Sequence, residues 1–342
     1  MLKKVLTISL IVALVFSLTA CGGGNEPAAG GDEEAVKPKT LKMNITISET
    51  SSWYQGAKKY KDLIEERTNG RYIIDIYPNE QLSGGNQTKG IENVQTGVTD
   101  VDIHSTIIYT VVDERFTAVN MPWMIPTYEE ADAAIEGHGG ELIFEIAREN
   151  GVVPLALGES GYRQITNNVR PIEKPSDLQN MKIRVPGIKM FLDLFDLLGA
   201  DPTSMNFAEV FTALQQGTID GQENPVDIIS SSKLDEVQEY LTLTNYVYDA
   251  LLLSVSTNLW DTLSEEDKII FEEAGIEAMA YQKEVARISN EEKIAELNTT
   301  MQVNELTPEQ IDVFQEAMVP LYEHWEEILG LELMEAFGYQ KQ

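Results

Sequence analysis

Arg184, Phe207 and Asn224 stand at three successive element ends, the geometry of a small-ligand site. In Met181-Lys182-Ile183-Arg184-Val185-Pro186, apolar Ile183 and Val185 alternate with polar Lys182 and Arg184 before a proline stops the ladder. This predicts a short strand with Arg184 near its end. A guanidinium there offers a rigid fork that matches both oxygens of a carboxylate, through charge-assisted bonds stronger than neutral ones. Asn206-Phe207-Ala208-Glu209 then opens a helix, with Asn206 as N-cap, Glu209 reaching back to it and Gly217 past the last turn. Phe207 is its first helical residue. Asp220-Gly221 makes a tight turn, Asn224 caps the next helix and Pro225 takes its first position. Strand ends and helix N-termini are where open α/β folds bind small ligands, since unpaired N–H groups and side chains face a crevice there.

The rest of the chain supplies the scaffold. Thr40 to Ser48 alternates as a strand, and Trp53 to Thr68 is an amphipathic helix stopped at Asn69-Gly70. A strand from Tyr72 to Tyr77, a helix from about Asn86 to Gln95 and a strand from Val101 to His104 complete a parallel α/β pattern. The loops Glu49 to Ser52, Asn79 to Leu82 and Ser105-Thr106 follow its strands on the crevice side, and Trp53 and Tyr54 either line that crevice or sit in the core. Helices are expected at about Tyr128 to Ile135 and Gly140 to Glu149, then a strand from Val152 to Leu157. The small, polar run Gly158-Glu159-Ser160-Gly161 breaks it and marks a first crossing between domains. Leu251 to Ser256 is a buried strand returning to the first domain. From Ser264 to about Leu297 no proline interrupts a helical pattern, giving one helix of roughly 50 Å that can bridge two domains. A strand at Met301 to Leu306 leads to Thr307-Pro308-Glu309-Gln310, a capped helix start, and Pro320 breaks or kinks the closing helices.

Other chemistries lack their residues. His104, His138 and His324 are far apart in sequence without metal-ligand spacing, so no metal site is expected. There is no Gly-x-Ser-x-Gly, Walker loop or Gly-x-Gly-x-x-Gly after a strand, and no pair of carboxylates is marked out, so an enzyme is the weaker class. The formal net charge of −31 repels nucleic acid and anionic lipid, and most of the acids read as solvated helix faces. A free anion must therefore find a local cationic pocket against an unfavourable long-range field.

The N-terminal segment reads as an address. Lys3 and Lys4 precede an apolar run from Val5 to Leu18, too short to span a bilayer comfortably, and Leu18-Thr19-Ala20-Cys21 looks like a bacterial lipobox. Residues 1–20 are expected to be a signal peptide and Cys21, the only cysteine, to be lipidated. Residues 21–39 are glycine-rich and charged and read as a flexible tether.

Arg163-Gln164-Ile165-Thr166, Lys182-Ile183-Arg184-Val185-Pro186, Leu198-Gly199-Ala200, Phe207-Ala208-Glu209, Ala213-Leu214-Gln215 and Asp220-Gly221-Gln222-Glu223-Asn224-Pro225 together resemble the DctP family. These are the extracytoplasmic solute-binding proteins of tripartite ATP-independent periplasmic (TRAP) transporters. The resemblance implies a two-lobed α/β, periplasmic-binding-protein-like (type II-like) fold with a hinge cleft and a long helix across both lobes. Lobe I would comprise 41–160 plus 250–298 and lobe II 161–249 plus 299–342. It gives Arg184 the ligand carboxylate and Arg163 the place of a second cation in the same cleft. Asn224 is placed against the carboxylate as well as being a candidate cap, Phe207 packs on the ligand or in the core, and Ser105 faces the ligand from the first lobe. The implied function is capture of a small organic acid by a monomer and its delivery to TRAP permease subunits, without cofactor or nucleic acid and with the membrane reached only through the lipid. A sensory surface lipoprotein presenting closure to a receptor is the rival from another class, and a hydrolase a distant third.

Overall fold

A computed structural model describes residues 37–341. The expected signal peptide, Cys21 and most of the tether lie outside the described residues. The strands are β1 (Lys39–Ile45), β2 (Tyr72–Tyr77), β3 (Val101–Ser105), β4 (Val152–Asn167), β5 (Lys182–Val185), β6 (Asp201–Ser204), β7 (Gly221–Pro225), β8 (Tyr240–Leu243), β9 (Tyr248–Ser256) and β10 (Gln302–Glu305). Their order is β2-β1-β3-β9-β4-β7-β5-β6, with β8 pairing both β4 and β10. β1 is parallel to β2 and β3, as the alternating strand–helix pattern of the first hundred residues predicts, while β9 is antiparallel to both β3 and β4.

β4 joins two halves of this array. Its residues Val152 to Tyr162 pair with β9, and from Arg163 to Asn167 it pairs with β7 instead, with β8 on its other side. The run Gly158 to Gly161 does not break the strand. It is accommodated by a register shift between Glu159 and Gly161, where Gly161 takes a φ of +103°, and the change of partner from β9 to β7 lies inside one continuous 16-residue strand.

Two further local readings differ in the structure. Gly221–Pro225 forms a strand, hydrogen-bonded to β4 on one side and β5 on the other, so Asn224 does not cap and Pro225 is itself the N-cap of the helix Val226–Ser231. The helix Phe207–Gln215 begins and ends as expected, with Gly217 at φ +65°, but the Asn206 side chain makes no capping bond. Thr307 and Gln310, by contrast, form the full reciprocal box.

The long helix Glu265–Thr300 has 36 residues, about 54 Å at about 1.5 Å rise each. Its first half puts Phe271, Ala274, Ala278 and Met279 into the core beneath β1, β3 and β9. Its far end puts Leu297 into a separate cluster with Val210, Leu214 and Leu241. One helix therefore packs against both halves, and among the described residues no helix is long and apolar enough to cross a membrane.

Candidate functional site

The switch of β4 from β9 to β7 creates the site. Arg163 stands at that switch, opposite Pro225 of β7 and next to Tyr162, which faces Tyr248 of β9. The ends of β5 and β7, the start of the helix Phe207–Gln215, and the loops after β1 and β3 converge on the same place. Arg163, Arg184, Asn224, Phe207 and Ser105 all line one cavity, joined by Trp53 and Asp249. Its free space is about 20 Å³, room for little more than a single small polar group. A chamber of about 250 Å³ adjoins it and shares Thr46, Gln87 and Phe207. The two halves touch at its mouth, where a Cβ on Gly85 would lie 3.1 Å from Ala208 Cβ.

The two arginines differ in what they hold. Arg163 Nε donates to Glu223 Oε2 (2.5 Å), its Nη1 to Asp249 Oδ2 (2.6 Å) and its Nη2 to Glu223 Oε1 (2.9 Å), the Glu223 carbonyl (2.9 Å) and Asn224 Oδ1 (3.0 Å). Burial lowers its pKa, but Glu223 and Asp249 outweigh that and hold it above the ordinary value. Arg184 is 2 % exposed and has no carboxylate partner among the described residues; its Nε and Nη2 donate only to the Met205 carbonyl, at 3.1 and 2.8 Å. Burial above all, with the nearby Arg163 charge, brings its pKa down to about 10, against the pull of Glu223 and Glu209. It remains a cation at neutral pH. The Phe207 ring lies 5.8 Å from the guanidinium carbon and fixes one of its faces.

Asn224, freed from capping, accepts from Arg163 and donates through Nδ2 to Gln222 Oε1 at 2.5 Å. Ser105 accepts from the Ile107 N–H at 3.1 Å as cap of the helix Thr106–Tyr109 and donates to Asp249 Oδ1 at 2.5 Å. Asp249 and Glu223 were not singled out by sequence. Asp249 is pushed up to about 6 by burial, which Arg163 and Ser105 oppose. Its one sequence signal is a charge opening an otherwise apolar run, Tyr248-Asp249-Ala250-Leu251. His104, far in sequence from the other histidines, is buried between Asp102 (2.7 Å) and Glu80 (2.6 Å), which raise it to about 10 against burial. Glu80 also accepts from Asn44, Thr46 and Ser83 and anchors the loop beside the outer chamber. Among the described residues no group of His, Cys, Asp and Glu has the arrangement of a metal site.

This geometry is that of a ligand cleft with a buried cation, and residues 43–328 match the bacterial extracellular solute-binding proteins of family 7, DctP. The chain belongs to that family. A solute-binding protein of Roseobacter denitrificans is 35% identical over 245 residues, 71% of this chain and 74% of its own. Two TRAP periplasmic solute-binding proteins of known structure are similar throughout. One, from Ralstonia eutropha with (S)-2-acetolactate bound, has a TM-score of 0.85 at 33% identity, covering 87% of this chain and 98% of that one. The other, from a Polaromonas species with D-erythronate bound, has a TM-score of 0.84 at 34% identity, covering 89% and 99%. The resemblance read from sequence and the expected α/β architecture are thus borne out. This DctP-family chain is an extracytoplasmic solute-binding protein of TRAP transport, and not an enzyme.

Proposed function

We propose that this protein captures a small organic acid by its carboxylate on Arg184 and hands it to a TRAP permease. The observation that carries the reading is a buried guanidinium with no anionic partner among the described residues, facing a cavity. Taking such a charge out of water is expensive, and a carboxylate that pairs with it recovers the loss through two directional bonds. Arg163 and Asn224 hold the wall beside it, Phe207 stacks on the guanidinium, and Ser105 completes the opposite side. Solved relatives carry acetolactate, erythronate and succinate, all carboxylates.

Residues 41–160 with 250–298 would form one lobe and 161–249 with 299–342 the other, closing by bending where β4 and β9 part. Asp227 of the second half accepts from Ser52 N–H (2.9 Å) and Oγ (2.7 Å) of the first and pairs with Lys293 of the long helix, a contact suited to a closed form. The chain would act as a monomer, held at the membrane by lipid on Cys21 after loss of residues 1–20.

Thermal melts against a library of organic acids, with Arg184→Ala in parallel, test the reading. A bound acid in hundredfold excess over Kd stabilises by roughly 2.7 kcal/mol. Loss of the buried partner weakens binding by roughly 2 to 5 kcal/mol. The ligand-free variant should melt no lower than the parent, because an unpaired buried charge has been removed. Acids that stabilise both proteins equally would sink the carboxylate role of Arg184.

A further inference from the structure

We propose that Asp227 is a latch between the two halves: from the second half it caps the helix that carries Trp53 in the first, and so governs how long the cleft stays shut on a ligand it does not touch. This rests on the closing motion proposed above and adds the residue that controls it.

The helix Ser52–Arg67 starts without an acid in its first turn. Ser51 caps it by accepting the Tyr54 N–H at 3.2 Å, which leaves the Ser52 N–H without an acceptor inside the helix. Asp227 supplies one from 175 residues away: its Oδ2 accepts that N–H at 2.9 Å and the Ser52 hydroxyl at 2.7 Å. A carboxylate at a helix N-terminus is favoured by the dipole as well as by its charge-assisted bonds, and this one is 5 % exposed. Lys293 of the long helix pairs with the other oxygen, Oδ1, so the buried charge is neutralised and aimed. Gln282, earlier on the long helix, donates to the same Ser52 hydroxyl at 3.1 Å and to the Glu159 carbonyl at the β4 bulge at 2.7 Å.

Neither Asp227 nor Ser52 lines the inner cavity or the outer chamber, yet the residue after each, Ile228 and Trp53, lines the cavity around Arg184. The latch therefore sits directly behind the wall. Ser48 Oγ donates to the Ser231 carbonyl at 3.3 Å, a neutral bond along the same seam. Bending where β4 and β9 part draws the helix Val226–Ser231 away from the helix Ser52–Arg67. Opening then gives up both Asp227 bonds and uncovers an N–H and a carboxylate together. Because Asp227 is no part of the cavity lining, it slows the departure of any ligand the cleft accepts and does not choose among them.

Pulsed electron–electron double resonance on the ligand-free protein tests this. Nitroxides are placed on Lys89→Cys and Lys189→Cys, exposed positions beside Thr88 and Ile188, which line a further chamber from the first and second halves. Cys21→Ser removes the one other thiol. Asp227→Asn removes the charge at nearly constant volume. Ser52→Pro removes both the N–H and the hydroxyl, and a proline suits the first position of a helix after the extended Ser51 (φ −81°, ψ 160°), so the helix is kept. Each should raise the ratio of long to short label distances at least about tenfold over the parent. Melting curves identify the folded variants. A contact that only stabilised the fold would lower the melting temperature and leave the distances where they were. Parent-like distances in the folded variants overturn the latch and leave Arg184 untouched. Organic acids that stabilise the parent and Arg184→Ala equally overturn the carboxylate reading instead, and the ligand-free distances do not depend on it.

Discussion

Arg163 and Arg184 line the same cavity with the same charge, and their partners separate them. Arg163 is neutralised within the protein by Glu223 and Asp249, whereas Arg184 has carbonyl oxygen alone. Asp249 makes this arrangement sensitive to pH. Its carboxyl is raised to about 6, foremost by burial; Arg163 from β4 and Ser105 from β3 oppose the rise, while Glu223 from β7 adds to it. A carboxyl raised on folding contributes stability below its unfolded value of about 3.9, and that contribution is lost as pH rises through about 6. Asp249→Asn keeps one acceptor oxygen and removes the titration. The stability of the parent relative to the variant should therefore fall from pH 4 to 6 and level off above 7, as urea unfolding at each pH would measure. Asp113 and Asp132 are both held near 2, and they act in the opposite sense and at lower pH, so they cancel in the difference. A difference flat across pH 4 to 7 would contradict the Asp249 assignment. Arg184 was legible in sequence because strand alternation and a terminal proline are local signals. Asp249 was not, since the cation it pairs with lies 86 residues away.

Elements were legible wherever local chemistry and tertiary pairing agreed. The helix ends at Asn69-Gly70 and Thr307 to Gln310 and the uninterrupted long helix all follow from caps, glycines and absent prolines. Gly221–Pro225 was misread because its turn and cap residues have a competing option in the folded chain, ladders on both sides, which turn propensity cannot register. Close approach between helices is equally invisible. Gly56 of the helix Ser52–Arg67 faces Gln282 of the long helix, and a Cβ there would stand 2.7 Å from both Gln282 Cβ and Cγ. Gln282 is no idle neighbour, for it accepts from Glu159 N–H (2.9 Å) and donates to the Glu159 carbonyl (2.7 Å) and Ser52 Oγ (3.1 Å). These bonds tie the long helix to the bulge of β4 and to the start of the helix that carries Trp53. By helix propensity alone, Gly56→Ala would stabilise by about 1 kcal/mol. Overpacking typically costs roughly 1 to 3 kcal/mol, so a net loss is expected in denaturant titration. A more stable variant would show that the two helices separate without strain.

At the scale of the whole molecule, the −31 formal charge and the site's own charges bear on the same ligand. Inside the cavity, the two arginines are matched by Glu223 and Asp249, so the site offers a directional partner for an anion but little positive field beyond its walls. Outside it, an acidic surface faces the approaching anion at every distance. Electrostatic screening reaches about 30 Å at 0.01 M salt and about 10 Å at 0.1 M. Association of an organic anion should therefore quicken as salt rises over that range, opposite to the steered capture typical of charge-complementary partners. On the proposed reading, dissociation would be governed instead by contacts shielded from salt: the pair between Arg184 and the ligand, and the Asp227–Ser52 bonds. Stopped-flow fluorescence, with Trp53 in the cavity wall as reporter, separates the two rates. A rising association rate with a nearly constant dissociation rate is the expected result. An association rate that falls with salt would mean that the arginines project a field past their internal carboxylates, and that the acidic surface is not what an arriving anion first meets.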